Sequence, residues 1–392
     1  MNNRWLLPQG IEEALPPEAR LLEAMRRQLL DTYARWGYQL VMPPFIEYLD
    51  SLLTGTGHDL NTQTFQLVDQ LTGQVMGVRA DMTPQVARID AHQLKREAPN
   101  RLCYIGTVLH TRPDGFGGSR SPMQVGAELY GHAGVESDVE IICLMLETFR
   151  QAGVENVLLD LGHVGIFRAL AAQAGLNAEQ EATLFEMLQR KAIPEINQFL
   201  EGLPITEALR KMLASLPELH GDMACIDRAE KVLQTADASV KAALAYLRQM
   251  ALRLLAREPD VRMHFDLSEL RGYHYQTGIV FAAYVPGQGQ EIARGGRYDA
   301  IGEVFGRARP ATGFSTDLKT LVDLSSTASS NMASAIFAPC NDDAGMLQTI
   351  AQLRAQGETV IEQLPGQAGD AKTMGCDKQL VKRNAKWVVE KA

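Results

Sequence analysis

The middle of this chain, roughly residues 166–258, is rich in Ala, Leu, Glu and Arg, with apolar positions at helical spacing throughout. Strand-like sequence lies on both sides of it. A helical block of that length cannot sit inside a sheet, so it reads as a unit inserted into a sheet-bearing domain. The strand-like segments come in runs joined by short turns instead of alternating one for one with helices. That pattern predicts antiparallel pairing with helices segregated around it, an α+β class and not a doubly wound parallel sheet. With 392 residues the chain also exceeds one ordinary domain.

Before the insertion, Leu21, Leu22, Met25, Leu29, Leu30 and Tyr33 predict a helix over 17–36, ended by Gly37. A strand over 38–42 is stopped by Pro43-Pro44, which cannot donate to a ladder. A hairpin over 62–69 and 74–79 turns at Leu71-Thr72-Gly73, and a helix covers 84–97. Strands over 101–109 and 122–130 flank a glycine-rich loop, 112–120, followed by a helix over 136–152 and a strand over 154–161. After the insertion, strands are expected over 261–268, 273–284 and 289–294, then a short strand and a helix over 313–324. Residues 325–334 are Ser-, Thr- and Ala-rich and read as a linker. The tail reads strand 335–339, helix 342–356, strand 358–363, helix 376–386 and strand 387–390. The expected organisation is a domain over 1–324 carrying the insertion, the linker, and a small α/β domain over 335–392.

Composition narrows the function. No window approaches 18 consecutive apolar residues, so no membrane span is expected. The first residues, Met1 to Pro8, show no leader pattern, and cytoplasmic residence is the expectation. A net charge of −9 speaks against a nucleic-acid binder, although a local basic patch can hide in an acidic total. The five cysteines are scattered without a CxxC pair, and the histidines show no ligand spacing. Reduced thiols and no metal are therefore expected.

Three segments could carry chemistry. Alternation along 124–130 places Gln124, Gly126, Glu128 and Tyr130 on one face, with Val125, Ala127 and Leu129 on the other. A polar, glycine-containing face over an apolar one describes a pocket floor that could receive an ammonium or an imidazole. It equally describes a strand facing solvent. Along 271–277, Arg271, Tyr273, Tyr275 and Thr277 share one predicted face, and Arg271 could pair with a carboxylate or form a surface salt bridge. His274 reads as structural. The Gly295-Gly296 pair in Ala293–Asp299 permits close backbone approach to a ligand but lacks the GxxxxGKS phosphate-loop pattern.

In this order, the segments resemble the catalytic core of the histidyl-tRNA synthetase family. Gly37–Glu47 is similar to that family's motif 1, Arg79-Ala-Asp-Met-Thr83 to its Arg-Pro-Glu-Gly-Thr, and Gln124-Val-Gly-Ala-Glu128 to its Gln-Ile-Gly-Val-Glu. Arg271–Gln276 and Gly295–Asp299 resemble its two histidine-specific motifs. The resemblance covers about residues 5–324 and implies a class II synthetase fold. The tail resembles a shortened anticodon-binding domain. By resemblance, Asp81, Thr83 and Gln124 face the histidine α-amino group and Glu128 the imidazole. Arg271, Tyr275 and Tyr298 complete the implied site.

The departures fall on the ATP side. Gly106–Pro113 lacks the Arg-x-Glu of motif 2. In Gly313–Thr320, Thr320 stands for the γ-phosphate arginine, Lys319 for a glutamate and Asp317 for a glycine. Without those arginines, the charge stabilisation that activation by ATP depends on is gone. Asp81 for Glu and Gln276 for a ring-contacting Tyr are smaller departures on the amino-acid side. Together these resemble the regulatory-subunit branch of short-form ATP phosphoribosyltransferases. That resemblance implies no reaction of its own, no cofactor, and a homodimer within a hetero-oligomer. It also implies a catalytic partner chain and L-histidine as effector. Two alternatives are an active or protein-modifying class II synthetase and a non-catalytic tRNA-sensing module. The broken motifs oppose the first; net charge and the short tail oppose the second, so no tRNA partner is expected.

Overall fold

The computed structural model describes residues 5–53, 58–113, 118–270, 272–273, 275–325 and 334–392. It forms two compact units, Met1–Ser326 and Thr327–Ala392. Apart from Ser325 and Ser334, the expected linker lies outside the described residues, as do Arg271 and His274.

Twelve strands are described in the first unit. They are β1 (Gln39–Leu40), β2 (Ile46–Tyr48), β3 (Phe65–Val68), β4 (Val75–Val78), β5 (Asn100–Thr107), β6 (Met123–Tyr130), β7 (Leu158–His163), β8 (His220–Gly221), β9 (Arg262–Asp266), β10 (Ile279–Tyr284), β11 (Ala293–Arg297) and β12 (Ala311–Asp317). Nine of them build one sheet in the order β1-β5-β6-β12-β11-β10-β7-β9-β8. Its pairs are antiparallel except β1 with β5 and β7 with β9. Strands β2, β4 and β3 form a small antiparallel sheet whose hairpin turns where predicted, at Gly73 with φ +74°. The arrangement is α+β.

Helices α1 (Glu18–Arg35), α2 (Leu49–Leu53), α3 (His58–Gln63) and α4 (Thr83–Arg88) precede β5. α4 continues as one wide-wound turn to Leu94 and ends at Lys95, whose φ is +48°, short of the expected 97. α5 (Val135–Ala152) is buried on nearly every side. The insertion supplies α6 (Val164–Gln173), α7 (Ala178–Gln189), α8 (Ile193–Glu201), α9 (Glu207–Ser215), α10 (Ala224–Val232) and α11 (Ala238–Arg257). One continuous apolar core joins α1, α5 and the insertion to the apolar sheet face, through Val125, Ala127, Leu129, Phe281 and Phe314. Burying that face on helices leaves the opposite, polar face of the sheet for the site.

Three expectations in this unit are corrected. The described residues between Gly272 and Thr277 do not form a strand: Gly272 takes φ +66°, and its carbonyl accepts from the amides of Tyr275 (2.9 Å) and Gln276 (2.8 Å), closing a turn. The expected sharing of one strand face by Tyr273, Tyr275 and Thr277 fails with it, while Arg271, expected on the same face, lies outside the described residues. The strand expected over 289–294 runs Ala293–Arg297 instead, so the glycine pair lies inside it. Gly313–Asp317 belongs to β12, and the helix α12 (Leu318–Leu324) starts only where the Asp317 carboxylate accepts from the Lys319 and Thr320 amides.

The second unit packs α13 (Ala344–Ala355) against a sheet of β13 (Ala335–Ala338), β14 (Thr359–Glu362), β15 (Lys378–Arg383) and β16 (Lys386–Lys391), ordered β14-β13-β15-β16. The helix expected over 376–386 is strand β15. Asn384 and Ala385 both adopt positive φ, +45° and +63°, a two-residue turn that folds β16 back along β15.

Candidate functional site

The site grows from one register. Glu128 on β6 stands opposite Leu102 on β5 and Gly313 on β12, while Tyr104 stands opposite Gly126. Gly126 has no side chain where the Tyr104 ring lies; a Cβ there would come within 2.3 Å of the Tyr104 hydroxyl. Tyr104 therefore lies over β6, and its hydroxyl donates to Glu128 Oε1 at 2.9 Å. Thr83, the first residue of α4, donates to the same oxygen at 3.1 Å. The Tyr298 hydroxyl, just past β11, donates to Oε2. Gly313 makes the room on the other side, since a Cβ there would sit 1.5 Å from Oε2.

Glu128 is only 1% exposed, yet it reaches the wall of a cleft of about 580 Å³. Burial, reinforced by the charge of Asp81, pushes its carboxyl up to about 8 against the opposing pull of the three hydroxyls. Burial beside this carboxyl raises the phenols of Tyr104 and Tyr298 well above their usual range, so they remain donors.

Asp81 is positioned by its neighbours. The Thr83 amide donates to Asp81 Oδ1 at 2.9 Å and Gln124 Nε2 donates to the same atom at 2.7 Å. Gln124 Oε1 is in turn held by the Met82 amide at 2.9 Å. Asp81, Thr83, Glu128, Tyr275 and Tyr298 all line the cleft, and Gln124 acts on it through Asp81. Arg271 lies outside the described residues. Glu186 and Glu269 add to the cleft's acidity, with Arg294 as a described cation. The arrangement suits a small cationic ligand carrying N–H donors. Among the described residues, no three His, Cys, Asp or Glu side chains cluster closely enough to hold a metal.

Two participants escaped sequence reasoning. Tyr104 carries the signal of a glycine opposite a tyrosine, legible only once β5 and β6 are in register. Gln276, which by sequence stands in the place of a ring-contacting Tyr, is 4% exposed and lines the cleft, and its Oε1 has no hydrogen-bond partner.

Other motif residues are engaged in structure. Arg79 donates to the carbonyls of Thr107 (2.9 Å) and Pro43 (2.8 Å), tying β5 to the proline turn. Arg297 forks onto Asp138 of α5, with Nη2 to Oδ1 at 2.9 Å and Nε to Oδ2 at 3.1 Å; Tyr246 of α11 donates to the same carboxylate. Asp299 accepts from the Ala311 amide at 3.0 Å. His110, within Gly106–Pro113, points inward to the Ala80 carbonyl at 2.9 Å. Asp317 accepts from the Met123 amide at 2.8 Å and from the Thr320 hydroxyl at 3.0 Å.

Residues 10–321 match the family model described as histidyl-tRNA synthetase, and residues 333–390 match the ATP phosphoribosyltransferase subunit HisZ C-terminal domain. The ATP phosphoribosyltransferase regulatory subunit of Thioalkalivibrio sulfidiphilus is 64% identical over 99% of this chain and 98% of that one. The chain belongs to the ATP phosphoribosyltransferase regulatory subunit family. Its relative in Alkalilimnicola ehrlichii, carrying the same description, is 60% identical over 97% of this chain and 95% of that one. Among solved structures, an ATP phosphoribosyltransferase regulatory subunit/histidyl-tRNA synthetase from Bacillus halodurans superposes with TM-score 0.84 at 28% identity, covering 95% and 96% of the two chains. A histidyl-tRNA synthetase from a Nostoc species, at 17% identity and TM-score 0.78 over 99% and 97% of the chains, shares the fold with this regulatory-subunit chain. The sheet is thus a class II synthetase sheet, as the motif order predicts.

Proposed function

We propose that this chain is a regulatory subunit with no reaction of its own. It joins the separate catalytic chain of a short-form ATP phosphoribosyltransferase, activates it in the first step of L-histidine biosynthesis, and lets histidine inhibit it. The observation that carries this reading is the buried Glu128 carboxyl, gathered by Tyr104, Tyr298 and Thr83 at the wall of an acidic cleft. A histidine ring meets Glu128 there, and its ammonium group lies beside Asp81, held by Gln124 and the Thr83 amide. Arg271 is assigned the histidine carboxylate on the motif resemblance. For histidine to inhibit, it must bind one state of the hetero-complex better than the other.

The absence of a reaction is supported by Asp317 and Thr320, which spend their side chains on backbone amides and on each other. A homodimer through residues 37–47 is supported by the apolar surface left there: Met42 is 75% exposed and Phe45 42%, next to β1 at the sheet edge. No described helix is long and apolar enough to cross a membrane. The test is co-purification with a short catalytic chain, followed by rates with and without histidine. Activation on assembly and inhibition by histidine are expected; a catalytic chain that neither assembles nor accelerates sinks the reading.

A further inference from the structure

The inserted helices are fastened to the rim of the cleft. Arg168 of α6 donates from Nη2 to the Tyr273 carbonyl at 2.8 Å and to the Gln276 carbonyl at 3.2 Å, so one guanidinium holds the turn on both sides of Tyr275. The same group lies 4.7 Å over the Tyr273 ring. That ring is buried; it packs on Phe167 of α6, with centroids 5.5 Å apart, and on Phe185 of α7, at 5.0 Å. Its hydroxyl donates to Glu181 in the first turn of α7. Just past the other end of α7, Lys191 Nζ pairs with Asp266, the last residue of β9, at 2.6 Å. Between these ties α7 presents Phe185, Glu186 and Gln189 to the cleft. The far end of the turn is tied to β11, where the Thr277 amide donates to the Arg297 carbonyl at 2.7 Å. Within the turn, Tyr275 lines the cleft and folds over Gly272, where a Cβ would come within 2.9 Å of its hydroxyl. A turn built on a left-handed glycine has no ladder to fix it, so its pose is set by the groups that hold its carbonyls.

Resting on the histidine reading above, we propose that the insertion sets the affinity of the cleft for its ligand, and that Arg168 is the positioning residue through which it does so. Arg168 does not line the cleft. It acts through Tyr275, whose backbone it pins at the carbonyls on either side. Asp81 and Glu128, by contrast, are held by α4, β6 and the tyrosines around them. A shift of α6 and α7 against β11 therefore moves Tyr275 relative to Asp81 and Glu128, and a contact set loosened in this way binds less tightly. The linkage is reciprocal: a ligand that bridges the two sides favours the seated insertion, and a seated insertion favours the ligand.

Calorimetric titration of the full chain with L-histidine tests this, with Arg168→Met made in three backgrounds: wild type, Tyr275→Ala and Asp81→Asn. Arg168→Met keeps much of the side chain's length and removes every donor. In the wild-type background it should weaken histidine about ten-fold, a difference of about 1.4 kcal/mol. In Asp81→Asn the same loss should recur in full, because Asp81 is held from the other side of the cleft. In Tyr275→Ala most of the loss should vanish, because the side chain that Arg168 positions is already gone. A residue that merely supports the fold would weaken binding equally in both backgrounds, and that result overturns the proposal; so does an unchanged affinity in Arg168→Met. Unfolding temperatures of every chain are measured alongside. If Arg168→Met does not fold, Tyr273→Phe frees the turn from Glu181 while leaving the carbonyl contacts in place, and its loss should show the same dependence on background. A wild-type chain that binds no histidine overturns the histidine reading together with this one, whereas normal wild-type binding with background-independent losses overturns this one alone.

Discussion

At the scale of single residues, Glu128 carries the proposed ligand specificity and a raised carboxyl pKa. Glu128→Gln keeps the shape and the buried position but presents an NH2 to hydroxyls that now donate to a carboxylate oxygen. A cationic ring binding beside Glu128 favours its ionised form, and the charge-assisted hydrogen bond so formed is worth about 1.5–3 kcal/mol. Histidine inhibition of the assembled complex should therefore weaken roughly ten-fold or more. The histidine-free rate should be nearly unchanged, because Val125 and Leu129 on the opposite face of β6 are untouched. An unaltered inhibition constant would move histidine to another site. The same carboxyl predicts a pH signature. Its ordinary value of 4.5 is raised to about 8 on folding, so between those values the folded chain holds a proton the unfolded chain has released. The contribution is fully present below the lower value and is lost as pH rises through about 8. Ligand-free wild type should lose more melting temperature than Glu128→Gln between about pH 6 and about pH 9. Parallel curves for the two chains would remove the premise.

At the scale of elements, the buried Asp138–Arg297 pair joins α5 to β11, and Tyr246 brings α11 of the insertion onto the same carboxylate. Asp138 is 0% exposed. Arg297→Ala leaves that charge buried and unpaired and should destabilise the first unit by about 3–5 kcal/mol in urea unfolding. An Asp138→Leu/Arg297→Met double substitution should be much milder than the sum of its singles, because no lone charge remains. Additive losses would show that the three elements are held together by something else. The contrast between legible and illegible elements follows the range of the forces involved. The β6 face was legible because Val125, Ala127 and Leu129 must alternate against a core. The 271–277 turn was not, because Gly272 can adopt a left-handed φ of +66° that no periodicity announces. β15 was missed because its turn uses Asn384 and Ala385 at positive φ without a glycine to mark it. In the site, Asp81, Thr83 and Glu128 were reachable from motif order, whereas Tyr104 and Gln276 depend on which strand or turn lies opposite.

At the scale of the whole chain, two outcomes follow from surfaces and from internal satisfaction. Sedimentation at micromolar concentration should show a dimer, and Met42→Glu should shift it towards monomer without changing the circular dichroism. A wild-type monomer would refute the interface at residues 37–47. ATP–pyrophosphate exchange with histidine should be undetectable, because Asp317 and Thr320 cap α12 and are not free to meet phosphate. Measurable exchange would return the chain to the synthetases. One fit described above also constrains how such a chain can change over generations. With only 1.5 Å between Glu128 Oε2 and the place of a Gly313 Cβ, no side chain at 313 is compatible with a glutamate at 128 in this pose. The two positions are therefore sterically coupled. A Cβ at 313 would also come within 2.8 Å of the Ala127 carbonyl oxygen, so a larger residue at 313 requires both a moved Glu128 side chain and a shifted β6 backbone.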